Sequence, residues 1–155
     1  TMGGKRILVP FNFSDYDEKA LHYIIRNYAG QKWVKVVLFH VYTPLPELDG
    51  YSNPGLGRLK STMASMWREV REKEKDLTQV KQDLIENGFL EKQVHYIFKE
   101  REKNIGIEIV KAAQTGNYDT IVAAQKPGSA TRSFTRKIHD ILLSELRNRE
   151  IVFIT

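Results

Sequence analysis

Apolar positions along the chain fall into five short continuous runs, and four longer stretches with helical spacing lie between them. The first run, Ile7-Leu8-Val9-Pro10-Phe11, is short and unbroken, as in a strand buried on both faces. Pro10 limits pairing near its end. Ser14, with Asp17 three residues on, has the spacing of a capping box and predicts a helix start. That helix carries Leu21, Ile24, Ile25 and Tyr28 on one face and ends at Gly30. Val34–Tyr42 (VKVVLFHVY) is β-branched and aromatic and predicts a central strand. Residues 43–57 (TPLPELDGYSNPGLG) hold three of the five prolines and three glycines, which predicts a long loop. Loops of this length inside compact domains often act as lids or contact surfaces.

Arg58–Asn87 predicts one long helix. Met63, Val70, Leu77 and Leu84 recur every seven residues, with Met66, Trp67, Val80 and Ile85 beside them. Such a stripe suits a helix lying across a sheet, and a partner-binding face is the other reading. Asn87-Gly88 closes it. Val94–Phe98 predicts the third strand. Asn104 caps a helix to about Thr115, with Ile105, Ile109, Val110 and Ala113 turned inward, and Gly116-Asn117 ends it. Tyr118–Ala124 predicts the fourth strand. Ser133 caps a last helix with Phe134, Ile138, Ile141, Leu142 and Leu146 on one face. Ile151–Ile154 completes a βαβαβαβαβ order. Alternating apolar strands and amphipathic helices imply an α/β fold: a single doubly wound, five-stranded parallel sheet with helices on both faces and right-handed crossovers.

In such a fold anions bind beyond the carboxyl ends of strands, where helix N-termini offer unpaired N–H groups. The stretch Asp119–Ile138 (DTIVAAQKPGSATRSFTRKI) is a junction of that kind. It is a buried strand, then a basic loop with Pro127 and Gly128, then a helix start. Lys126, Arg132, Arg136 and Lys137 flank it, and Gly128-Ser129 has the makings of a short anion nest. The competing reading is a solvated loop with Ser129 as loop polarity and Ser133 as a cap.

With 155 residues the chain fits one domain, spanning 1–155, with residues 1–4 as a cloning scar or unstructured start. It has no cysteine, which excludes disulfides, thiolate metal sites and cysteine catalysis. No apolar run approaches the roughly 18–20 residues that span a bilayer, and no signal-peptide core is present, so a cytoplasmic protein without membrane contact is expected. The net charge of +5 raises nucleic-acid binding. Acids interleave with the basic residues, and the aromatics fall on core faces, so this reading ranks last. His22, His40, His95 and His139 form no metal-ligand pair. No nucleophile elbow, phosphate loop or acid/base constellation is present, so no catalytic residue or metal site is assigned. Slow hydrolysis of a bound nucleotide stays compatible with the sequence.

Several segments, in order and at matching spacing, resemble the universal stress protein family. Lys5–Leu21 (KRILVPFNFSDYDEKAL) resembles its opening strand, turn and helix. Leu38–Pro44 (LFHVYTP) is similar to its Leu-His-Val second strand and proline-containing loop. Tyr118–Ala123 (YDTIVA) resembles its Asp-x-Ile-Val fourth strand, and Ile151–Ile154 its closing strand, with Glu150 where proline is usual. The resemblance implies the adenine nucleotide alpha hydrolase-like sheet in the order 3-2-1-4-5 and a homodimer. The dimer would pair the edge strand Ile151, Val152, Phe153 and Ile154 with its copy.

Nucleotide-binding members carry G-x2-G-x9-G-[ST] after strand four, because glycines let main-chain N–H groups reach phosphate. Those positions here are Ala124, Pro127, Lys137 and Ile138, and none matches. Pro127 has no N–H at all. Asn12 stands where an adenosine-side Asp is frequent, Phe13 where Gly is frequent, and Val41 where adenine is met through the backbone. The candidate ligand-binding residues are thus Pro10, Asn12, Val41, Ala124, Lys126, Gly128, Ser129, Arg132 and Lys137. Two readings stay open. In one, a stress-response module acts through dimerisation and an unidentified protein partner, with weak or absent ATP binding. In the other, side chains of a shifted basic loop hold an adenine nucleotide or another anion.

Overall fold

The computed structural model describes residues 4–45, 56–124 and 132–154, with side chains of 56–59 and 132–137 left aside. The elements are β1 (Lys5–Pro10), α1 (Asp17–Tyr28), β2 (Val34–Tyr42), α2 (Leu56–Glu86), β3 (Val94–Glu100), α3 (Ile105–Thr115), β4 (Thr120–Ala124), α4 (Arg132–Glu145) and β5 (Glu150–Ile154). A 3-10 turn at Glu91–Gln93 leads into β3. The strands form one parallel sheet in the order β3-β2-β1-β4-β5. Among the described residues, no helix is long and apolar enough to cross a membrane.

Alternation along the strands divides the core in two. Ile7 and Val9 of β1, Val36 and Leu38 of β2, and Val122 of β4 point to the face covered by α1 and α2, where Ile24, Leu77 and Leu84 are buried against them. Leu8, Val37, Phe39, Val41 and Ile121 point to the opposite face and pack with Ile109, Ala113, Leu142 and Leu146 of α3 and α4. Both faces of Ile7–Val9 and Val36–Phe39 are therefore buried, which explains why those stretches are unbroken apolar runs.

The sequence expectations need correction at several helix ends. Ser14 does not cap α1. The helix starts at Asp17 behind Tyr16, with no side-chain cap bond. The roles are exchanged, since the Asp17 carboxylate reaches back to the loop. α2 begins at Leu56, so the expected 43–57 loop gives up its last two residues to the helix; residues 46–55 lie outside the described residues. α4 already includes Arg132, one residue before the expected cap. Asn104 does cap α3, accepting the Ile107 N–H at 2.9 Å.

The heptad stripe of α2 splits in function. Leu77 and Leu84 are buried in the core, with Val80 and Ile85 packed beside them. Met63, Met66 and Val70 are only half-buried. Trp67 is 41% exposed, touching Tyr42 edge-on. A helix of 31 residues is about 46 Å long, and a seven-residue strand about 23 Å, so the sheet supports only part of it.

Candidate functional site at the carboxyl ends of β1 and β4

The chain leaves β1 toward β2 on one side and later crosses to β4 on the other. This reversal opens a crevice at the strands' carboxyl ends. Leu8 lies opposite Ile121, and the same register carried forward puts Pro10 level with Ala123, one residue short of Ala124, at its floor. Pro10 is half-buried, and Ala124, also half-buried, packs with Phe13 toward the α1/α2 face. Asn12 is exposed at the rim. Val41 is buried in the α3/α4 core. Lys126, Gly128 and Ser129, with Pro127, lie outside the described residues; Arg132 and Lys137 lie in α4 by backbone, their side chains outside them. Ile138, at the expected hydroxyl position, packs against the α3/α4 core. The structure thus sets Pro10 and Ala124 at the carboxyl ends of β1 and β4, with Asn12 in the loop just beyond β1, and assigns the Val41 side chain to the interior.

The loop after β1 is folded inward. Asp17 is buried, and its Oδ2 accepts the N–H groups of Asn12 at 3.1 Å and Ser14 at 2.8 Å. Those are main-chain donors of the kind a phosphate would use. Burial pushes the Asp17 carboxyl above its ordinary range, against the pull of the Ser14, Asn12 and Phe13 N–H groups. Phe13 sits between them with φ of 59°, a left-handed conformation uncommon for a bulky side chain. Its ring meets Phe11 edge-on at 5.1 Å and His40 at 4.7 Å.

His40, on β2, closes the other side of this loop. Its Nδ1 lies 2.8 Å from the Phe11 carbonyl oxygen, which can only accept, so Nδ1 carries the proton. The ring stacks on Phe98 at 5.5 Å. Its Nε2 is buried and has no hydrogen-bond partner among the described residues. Burial lowers the His40 pKa; the Phe11 carbonyl opposes this and the Lys73 charge adds to it. A neutral imidazole follows.

A parallel device stands after β3. Glu108 of α3 is 1% exposed, and its Oε2 accepts the Glu102 and Lys103 N–H groups, the former at 2.6 Å. Lys99 lies 3.7 Å from its other oxygen. Burial opposes ionisation, but the N–H groups of Glu102 and Lys103 and the charges of Lys99 and Lys111 outweigh it and hold the carboxyl below its ordinary range. Sequence reasoning missed both carboxylates as buried groups. Glu108 had a signal, a lone charge inside the apolar run Ile105–Val110. Asp17 had one only if read as a loop anchor rather than as the partner of a Ser cap.

No curated protein matches the sequence. Among solved structures, a universal stress protein family member from Burkholderia pseudomallei is 18% identical, with a TM-score of 0.64, covering 97% of this chain and 95% of its own. UspA from Lactobacillus plantarum is 17% identical, with a TM-score of 0.66 and full coverage of both chains. The universal stress protein from Archaeoglobus fulgidus in complex with dAMP is 17% identical, with a TM-score of 0.62, covering 99% of this chain and 100% of its own. At these identities the likeness is one of fold. The sequence model of the universal stress protein family matches residues 4–137, from the first strand into the last helix. With the 3-2-1-4-5 sheet and the crevice between β1 and β4, the chain belongs to the universal stress protein family.

Proposed function

We propose that this protein is a non-enzymatic stress-response module that acts as a homodimer and through contacts with another protein, and binds ATP weakly or not at all. One observation carries the second half of this reading: on the β1 side of the crevice, main-chain donors are already engaged. The Asn12 and Ser14 N–H groups are already spent on Asp17. Pro127 has none, and Ile138 turns a hydrocarbon into the core in place of a hydroxyl. A triphosphate needs several such donors at once. The dimer is supported by β5, an edge strand whose residues Ile151, Val152, Phe153 and Ile154 are all half-buried rather than charged and exposed. A cytoplasmic location is part of the same proposal.

The second reading is a nucleotide or other anion held by Lys126, Arg132 and Lys137. It draws support from the dAMP complex of the Archaeoglobus protein, which shares this fold. Titration calorimetry with ATP, ADP and AMP separates the two. The first reading expects dissociation constants weaker than about 100 μM, that is, less than about 5.5 kcal/mol of binding free energy. Micromolar binding that weakens on charge reversal at Lys126 and Arg132 establishes the second. For the dimer, light scattering at micromolar concentration is expected to give twice the chain mass, and a monomeric mass removes it.

A further inference from the structure

We propose that His40 is a proton-operated latch on the loop between β1 and α1: neutral, it holds residues 11–14 closed at the rim of the crevice, and protonated it releases them. The imidazole joins two elements that can separate. It belongs to β2, yet it donates to the Phe11 carbonyl and presses on the Phe13 ring, both in the loop. Phe13 is held in a left-handed conformation. Such a residue relaxes once its surroundings stop enforcing it.

The other end of the ring provides the trigger. His40 is 8% exposed, and its Nε2 is walled off from solvent with no partner among the described residues. Neutral, this atom is an unfilled acceptor. Protonated, it becomes a charged donor with no acceptor among the described residues, and a buried charge without a partner is far more costly than an unfilled acceptor. The described groups around it give no relief. Phe98 from β3 and the loop's Phe13 bring no charge, and their ring contacts are weak beside a desolvated ion. Lys73 from α2 adds repulsion, and its charge and burial both hold the imidazole neutral. The Asp17 carboxylate of α1 is turned to the Asn12 and Ser14 N–H groups. Relief comes by moving the ring toward water, which withdraws the donor from Phe11 and the edge contact from Phe13. Acid pH would thus loosen residues 11–14 at the rim and let water compete with Asp17 for the Asn12 and Ser14 N–H groups. The consequence for a ligand rests on the crevice reading above, whereas the opening itself does not.

The test uses the protein without nucleotide. Histidine resonances and amide exchange are followed by NMR from pH 7.5 to 4.5, with exchange corrected for its intrinsic pH dependence. His40 is expected to titrate below the ordinary value of about 6.5. Protection of the Asn12 and Ser14 amides is expected to fall at least tenfold with the same midpoint, while Leu8 and Val9 keep theirs. His40→Gln retains an N–H for Phe11 but cannot titrate, and its loop protection is expected to stay constant. Loop opening that persists in His40→Gln would assign the response to Asp17 and overturn the latch. If that variant fails to fold, the wild-type data decide: a loop midpoint apart from the His40 midpoint, or no loop response, also overturns it. A failure to bind any nucleotide leaves these readouts untouched and bears only on the crevice.

Discussion

Replacing Asp17 with Ala removes the side chain that binds two main-chain N–H groups of the loop at the crevice. Both loop N–H groups converge on the same oxygen, Oδ2, at 3.1 Å and 2.8 Å. Each is a hydrogen bond to a charged acceptor, of about 1.5–3 kcal/mol, so the gross loss is about 3–6 kcal/mol. Part of this is offset, because the carboxylate is buried and its ionised form is disfavoured there. A net loss of about 2–4 kcal/mol remains, at about 2–4 °C of Tm per kcal/mol for a chain of this size. The expected fall in Tm is therefore about 10 °C. Thermal denaturation followed by circular dichroism measures it, with urea unfolding as a check that the midpoint drops while the slope stays constant. Asp17→Asn is the informative control. An amide oxygen in the Oδ2 position keeps both acceptances without the charge, so its loss should stay near 1 kcal/mol, the size of a neutral hydrogen bond. If Asp17→Ala were no worse than Asp17→Asn, water would be serving the loop as well as the carboxylate does. The view of Asp17 as the anchor that withdraws donors from the crevice would then fail.

The remaining predictions concern the frame around the site. Glu108 has a folded pKa below its ordinary value of 4.5, so its contribution is complete above that value and is lost as the pH falls through the folded pKa. Acid unfolding curves of Glu108→Gln should lack that segment of the pH dependence and lie about 1–3 kcal/mol below wild type at pH 7; matching slopes below pH 4.5 would contradict it. On α2, Leu77→Ala should destabilise by about 2–5 kcal/mol, since the side chain is fully buried, and Trp67→Ala by less than about 1 kcal/mol, as the ring stands off the core. Equal losses in urea titrations would place both halves of the helix in the core. Gly88 has φ of 118°, and an added Cβ would lie 3.1 Å from the Ala29 Cβ, so Gly88→Ala should lose about 1–3 kcal/mol in the same assay. An unchanged midpoint would mean that the turn after α2 relaxes freely.

The sequence by itself determined the α/β alternation, and with the family resemblance it foretold the strand order. The runs Ile7–Phe11 and Val36–Phe39 are apolar at successive positions because both faces of those strands are covered, as in a parallel sheet between two helical layers. The Asn104 cap was legible because a cap is made within four residues of sequence. Tertiary structure alone decided what closes the crevice. Asp17 as loop anchor, His40 against Phe11 across 29 positions, and Glu108 under the loop after β3 all depend on which backbone donors a buried side chain meets once the sheet has formed. Local pattern records the helix that carries such a residue. It does not record which N–H or carbonyl the fold delivers to it, and in a low-dielectric interior that pairing sets the charge state of the group.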